Sequence, residues 1–135
     1  MPTETPLTDL DAERFVSLST FRRSGVAVPT AVWISRDGDA MVVTTGAESG
    51  KVKRVRNNPR VELTPCSRSG KVAPGAVSVA GTAEIIADPA ERDRLTDLVR
   101  AKYGIEFKIV MGIESIAKSG RAERVILRIT PPREN

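Results

Sequence analysis

Apolar and polar positions along the chain alternate in short blocks, the signature of β-strands joined by tight turns. Val16–Phe21 reads as a strand, and Arg22-Arg23-Ser24-Gly25 supplies the turn after it. Val26–Ser35 is apolar on both alternating sets, which predicts a strand covered on both faces. Asp37-Gly38-Asp39 is a hairpin turn, with Ala40–Thr45 as the return strand. Arg60–Ser67 places Val61, Leu63 and Pro65 against Glu62, Thr64 and Cys66. In Val77–Ala87, Val77, Val79, Ala83 and Ile85 oppose Ser78, Thr82 and Glu84. Gly81 within that run predicts a bulge or a sharp bend, as where a barrel wall turns a corner. Arg124–Thr130 closes the chain with Val125, Leu127 and Ile129 facing inward.

Helical periods fall between the strands. Thr8–Phe15 is a short helix that Thr8 or Asp9 caps. Asp88-Pro89-Ala90-Glu91 opens another, with Asp88 as cap, Pro89 at the first helical position and Glu91 completing a capping box. Leu95, Leu98 and Val99 form its buried stripe, and Gly104 ends or kinks it. Ile105–Lys118 carries a further period through Ile105, Ile109, Ile113 and Ile116. Six short strands that do not alternate regularly with helices predict one domain over residues 1–135, a mainly β antiparallel barrel with helices packed outside it. A doubly wound parallel sheet is disfavoured.

Composition narrows the chemistry. The 135 residues suffice for one core, since a domain this long buries roughly two-thirds of the surface its unfolded chain exposes. No apolar run nears the ~20 residues of a membrane span, and Met1–Glu13 is too polar for a signal peptide, so no membrane association and a cytoplasmic location are expected. There is no histidine, and Cys66 is the single cysteine. Ser-His-Asp and Cys-His catalysis, an internal disulfide, and histidine or thiolate metal sites are thereby excluded within one chain. No metal is expected, and an enzyme of this composition borrows its reactive atoms from a cofactor.

The most informative stretch runs from Thr44 to Arg60. A strand ends in Thr44-Thr45, a glycine-bearing loop follows, and a basic helix begins near Ser49 and stops before Pro59. Free amides and the positive dipole end make such a helix start an anion site. Thr44, Thr45 and Ser49 offer hydroxyls there, and Lys51 a charge. At about 100° per residue, Val52 and Val55 define the buried stripe, Lys51 and Arg56 flank it about 70° away, and Lys53 and Arg54 point outward. A cation in the first turn opposes the dipole, and an anionic ligand relieves that penalty. Five basic residues in ten equally suit a solvated face. Nucleic-acid binding through this helix is disfavoured, because the net charge is only +4, aromatics are scarce, and no zinc-finger or RNP-type signature is present.

Pro29-Thr30-Ala31-Val32-Trp33, Asp37-Gly38, the Thr45…Ser49-Gly50-Lys51-Val52-Lys53-Arg54 run, Asn58-Pro59-Arg60-Val61, Pro65-Cys66 and Gly81-Thr82-Ala83 together resemble the pyridoxamine-phosphate-oxidase-like flavin and deazaflavin oxidoreductases. The nearest likeness is to the mycobacterial and actinobacterial group that uses coenzyme F420, and it covers roughly residues 15–130. The resemblance implies a split β-barrel, a homodimer, and a cofactor groove at the dimer interface. It implies that Thr44, Thr45, Ser49 and Lys51 hold the cofactor phosphate, with Lys53 and Arg54 as helpers. Thr30, Ala31 and Val32 would run beside the ring system, with Pro65 and Cys66 on the neighbouring strand. FMN and F420 share the phosphate handle, so the ring stays open between them. The expected activity is hydride transfer from reduced F420 to an electrophilic, conjugated small molecule; an FMN-dependent enzyme and a non-catalytic cofactor carrier are the alternatives. Trp33 and Tyr103 are read as packing residues and Cys66 as a small buried hydrophobe. No catalytic acid or base is assigned.

Overall fold

A computed structural model describes residues 7–109 and 124–132. A short 3-10 helix, Leu7–Ala12, leads into β1 (Val16–Phe21), β2 (Ala27–Val32), β3 (Ser35–Asp37) and β4 (Ala40–Gly46). Then come α1 (Gly50–Asn57), β5 (Arg60–Pro65), β6 (Val79–Ile86), α2 (Pro89–Tyr103) and β7 (Arg124–Thr130). The strands form one sheet in the order β2-β1-β5-β6-β7-β4-β3, antiparallel at every junction. The sheet curls into the half-barrel of a split β-barrel. No helix among the described residues is long and apolar enough to cross a membrane.

Alternation along the strands creates two cores. The inner faces contribute Val16, Leu18, Val43, Val61, Leu63, Leu127 and Ile129, plugged by Leu7 and Leu10 at one side and by Val52 and Val55 of α1 at another. The outer faces of β4 and β7 contribute Val42 and Ile126, covered by Leu95, Val99 and Tyr103 of α2 together with Phe107. Gly81 lies where β6 changes partner, from β5 through Thr82 to β7 from Thr82 onward. A Cβ there would stand 2.6 Å from Ile129 Cγ2, so only glycine fits this corner.

The strand expected over Val26–Ser35 divides in two, which gives seven strands rather than six. β2 and β3 lie at opposite edges of the sheet, and Trp33-Ile34 carries the chain across the open seam. Nor is β2 covered on both faces: as an edge strand it leaves Ala27 and Pro29 exposed. The amide-less Pro29 stands where a backbone N–H would face the free edge, since Arg22 and Val26, three registers from the Ser19–Pro29 pair, are hydrogen-bonded and the pairs alternate.

The seam is held by the last turn of α2. The Ile34 amide donates to the Tyr103 hydroxyl at 2.9 Å, and that hydroxyl donates to the Arg14 carbonyl at 2.7 Å. Lys102 Nζ donates to the carbonyls of Asp11, Glu13 and Ile34 at 2.8, 2.8 and 2.6 Å. Trp33 stacks on Tyr103 with ring centroids 4.5 Å apart. These contacts satisfy backbone groups that no strand partner reaches.

Other expectations are adjusted. The first helix is a 3-10 segment ending at Ala12 rather than a helix to Phe15. The Asp88 carboxylate caps α2 by accepting from the Glu91 amide at 3.1 Å, but Glu91 pairs with Arg94 instead of closing the capping box. Gly104, at φ 56°, ends α2. Residues 105–109 are helical, yet Ile105 and Ile109 are exposed and Phe107 is the buried residue. The remainder of the helix expected to Lys118 falls outside the described residues.

Candidate functional site

β4 ends at the rim of the half-barrel, and Ser49 starts α1 there. Its side chain accepts from the Val52 amide at 3.4 Å, which makes it the N-cap. It also accepts from the Thr45 hydroxyl at 3.3 Å. A serine oxygen has two lone pairs and one proton. With both lone pairs engaged, the Ser49 proton is left to donate to an outside acceptor. Lys53 N–H makes the first bond within the helix, to the Ser49 carbonyl, so the Gly50 and Lys51 amides precede the helical ladder. Asn58 ends α1 in an extended conformation ahead of Pro59, as the sequence predicts.

Three cations gather around this helix start. Lys51 is half-buried. Burial first, and then the guanidinia of Arg54 and Arg124, hold its pKa below the ordinary lysine value. Arg54 does not point outward as its helical angle predicts. It is half-buried and reaches across to β1, where its Nε donates to Thr20 Oγ1 at 2.7 Å. Arg124 opens β7 opposite Gly46, and its Nε donates to Thr44 Oγ1 at 3.2 Å. Among the described residues no carboxylate pairs with Lys51 or Arg54. An ammonium, a guanidinium, a helix start and a donating hydroxyl at one rim suit a phosphate-sized anion.

The structure sorts the remaining residues by strand register. Thr45 is buried and faces inward with Ser49, whereas Thr44 faces the opposite side of β4, toward Arg124. Lys53 is exposed on the solvent side of α1. Thr30 shares the inner face with Leu18, its partner across β1, and Val32 is buried beside Val16 in the inner core. Ala31 faces the other side, near Gly70. Pro65 pairs with Val16, and the Cys66 amide donates to the Phe15 carbonyl. Thr20, where Arg54 is anchored, and Val16, beside Pro65, lie four residues apart on β1, roughly 13 Å at about 3.3 Å per residue. Between these two points the inner row of β1, Val16, Leu18 and Thr20, is buried in the core, so the accessible part of the site is the cationic rim itself. Burial, with the Glu13 carboxylate adding to it, pushes the Cys66 thiol up, so it stays protonated at neutral pH.

Sequence reasoning missed Arg124. Its signal is parity: Arg124, Ile126 and Arg128 share the outer face of β7, and the first of them lies at the end that pairs with Thr45–Gly46. Thr20 was missed as well, a polar residue within an inward row of apolar ones.

Residues 5–134 match the family model described as pyridoxamine 5'-phosphate oxidase. The chain belongs to this family. No curated protein matches it. Among solved structures, a conserved hypothetical protein from Mycobacterium tuberculosis is 24% identical with a TM-score of 0.68, over 98% of this chain and 82% of that one. A protein described as an F420 reductase is 20% identical with a TM-score of 0.61, over 97% of both chains. An FAD-binding protein from Mesorhizobium loti is 16% identical with a TM-score of 0.61, over 92% of this chain and 83% of that one. These three structures share the fold of this chain.

Proposed function

We propose that the protein is an F420-dependent oxidoreductase that holds the phosphate of its cofactor on the α1 rim. The observation that carries this reading is the gathering of the Ser49 proton, the Gly50 and Lys51 amides, the Lys51 ammonium and the Arg54 guanidinium, with no acid paired to either cation among the described residues. The family, together with structural neighbours described as an F420 reductase and an FAD-binding protein, supports a ligand of this class. The resemblance over roughly residues 15–130 to the F420-using group, rather than the shared phosphate grip, favours the deazaflavin over FMN.

Bound in its reduced form, F420 supplies a hydride to an electrophilic, conjugated small molecule. The protein's own part is to bind and orient. Ser49, Lys51 and Arg54 grip the phosphate and Thr45 supports Ser49 from the buried side, whereas Thr44 on the other face of β4 and Lys53 on the solvent side stay outside the grip. Of the residues expected beside the ring, Thr30, Ala31, Pro65 and Cys66 are partly accessible and Val32 is buried in the core. The Tyr103 hydroxyl is committed to Ile34 and Arg14, and the Cys66 thiol is protonated, so neither is assigned to proton transfer. Solvent supplies the balancing proton. The exposed apolar residues of edge strand β2 favour a homodimer in which a second copy covers them. The cytoplasm is the proposed location.

Fluorescence titration with F420 and with FMN, followed by anaerobic turnover of reduced F420 against enones, quinones and nitroaromatics, tests the reading. Saturable F420 binding with acceptor-dependent reoxidation is expected. Binding of FMN alone would make the protein a flavin enzyme, binding without turnover a carrier, and no binding of either would end the cofactor reading.

A further inference from the structure

Thr20 occupies a position that apolar packing alone would give to valine. It is wholly buried on the inner face of β1, in the row with Val16 and Leu18. A buried hydroxyl needs a partner to offset its desolvation, and here the partner is Arg54 Nε at 2.7 Å. On the other side of the same guanidinium lies Gly50, four residues earlier in α1, toward which a helical side chain at position 54 leans. A Cβ on Gly50 would stand 2.7 Å from Arg54 Nη1 and 3.3 Å from Cζ. The guanidinium is therefore pinned by a hydroxyl at one edge and admitted by a missing side chain at another.

This placement runs against the helix's own electrostatics. A cation folded back over a helix N-terminus opposes the dipole, and no carboxylate pairs with it among the described residues. Thr20 takes one of the five guanidinium N–H groups and leaves the four on Nη1 and Nη2. Those four lie at the helix start, beside Lys51.

We propose that Thr20 and Gly50 are positioning residues. Thr20 fixes the rotation of the Arg54 guanidinium and Gly50 leaves it room, so that Nη1 and Nη2 together meet the ligand's phosphate. The assignment rests on the cofactor reading above and adds to it how the rim is set before the ligand arrives. It makes fork-like recognition by Arg54 depend on a residue that touches no ligand.

The test compares Thr20→Val, Thr20→Ser and Gly50→Ala with wild type, using FMN against riboflavin and F420 against its phosphate-free deazaflavin core, with inorganic phosphate as a third probe. Thr20→Val and Gly50→Ala are expected to weaken the phosphate-bearing ligands about tenfold and to leave the phosphate-free ones unchanged; Thr20→Ser retains wild-type affinity. Gly50→Ala also keeps or raises the melting temperature, alanine being the better helix former. Wild-type affinity for every phosphate-bearing probe in both Thr20→Val and Gly50→Ala would overturn the assignment while leaving the cofactor reading intact. A wild type that binds inorganic phosphate, but neither cofactor, ends the cofactor reading alone; the positioning roles then stand or fall on whether the two variants lose phosphate. Binding of none of the probes overturns both.

Discussion

Replacing Lys51 with methionine separates ligand binding from folding. The ammonium is half-buried, and burial followed by the Arg54 and Arg124 guanidinia lowers its pKa from the ordinary 10.5. A lysine whose folded pKa lies below its unfolded one costs stability wherever it is charged in the fold. That cost is full below the folded pKa and disappears as the pH rises to the unfolded value. Methionine keeps most of the apolar stem and removes the charge, so Lys51→Met is expected to be at least as stable as wild type at pH 7. Ligand affinity moves the other way. A hydrogen bond from a charged group contributes about 1.5–3 kcal/mol, equivalent to about 10- to 150-fold in affinity. The half-open rim favours the lower end of that range, about tenfold. An anion also raises the Lys51 pKa toward its ordinary value. Wild-type affinity therefore falls as the pH rises through the lowered pKa toward 10.5, and the variant lacks this dependence. Fluorescence titration from pH 7 to 10.5, with denaturant melts of both proteins, reads all three effects. A variant that loses stability while binding as tightly as wild type would refute the reasoning and make the lysine structural.

Two further outcomes follow from the scaffold. Tyr103→Phe keeps the stacking on Trp33 but orphans the Ile34 amide, buried within the seam; the expected cost is about 1–3 kcal/mol of stability, with cofactor affinity unchanged, and lost affinity at unchanged stability would contradict a purely structural tyrosine. The Asp37 carboxylate is held below its ordinary 3.8, chiefly by the hydrogen bonds from Arg94, with Arg128 adding its charge. Its contribution is present above pH 3.8 and is lost as the pH falls through the lowered value, so the acid limb of a stability–pH curve should flatten in Asp37→Asn, and an unchanged limb would deny the ion pair its role.

Two strands were legible to the residue, whereas the strand expected over Val77–Ala87 is Val79–Ile86 with Val77 exposed, and that expected over Arg60–Ser67 stops at Pro65. Val16–Phe21 and Arg124–Thr130 have the expected bounds: Val16 and Leu18, and Val125, Leu127 and Ile129, share the face that meets the inner core, and the outer face of Arg124–Thr130 adds Ile126 to the second core. The division at Trp33-Ile34 was not legible. A chain crossing a barrel seam is as apolar as the strands on either side of it, and the groups that satisfy its backbone, Tyr103 and Lys102, lie some seventy residues further on. At the site, local signals were enough for the helix start near Ser49 and the Val52–Val55 stripe, which depend only on helix geometry. Helical angle places Arg54 relative to its own helix and says nothing of Thr20 on β1. Arg124 reaches Thr44 only through the register of β4 with β7. Cations brought in by tertiary pairing leave no short-range mark, whereas capping and periodicity do.

The central claim, that the α1 rim grips the phosphate of a flavin-type ligand, is tested most directly by measuring two affinities side by side: F420 and its phosphate-free deazaflavin core, each titrated at low and at physiological salt. F420 is expected to bind at least tenfold tighter, with an advantage that shrinks as salt screens the rim. Equal affinity for the two at both salt concentrations would contradict the account.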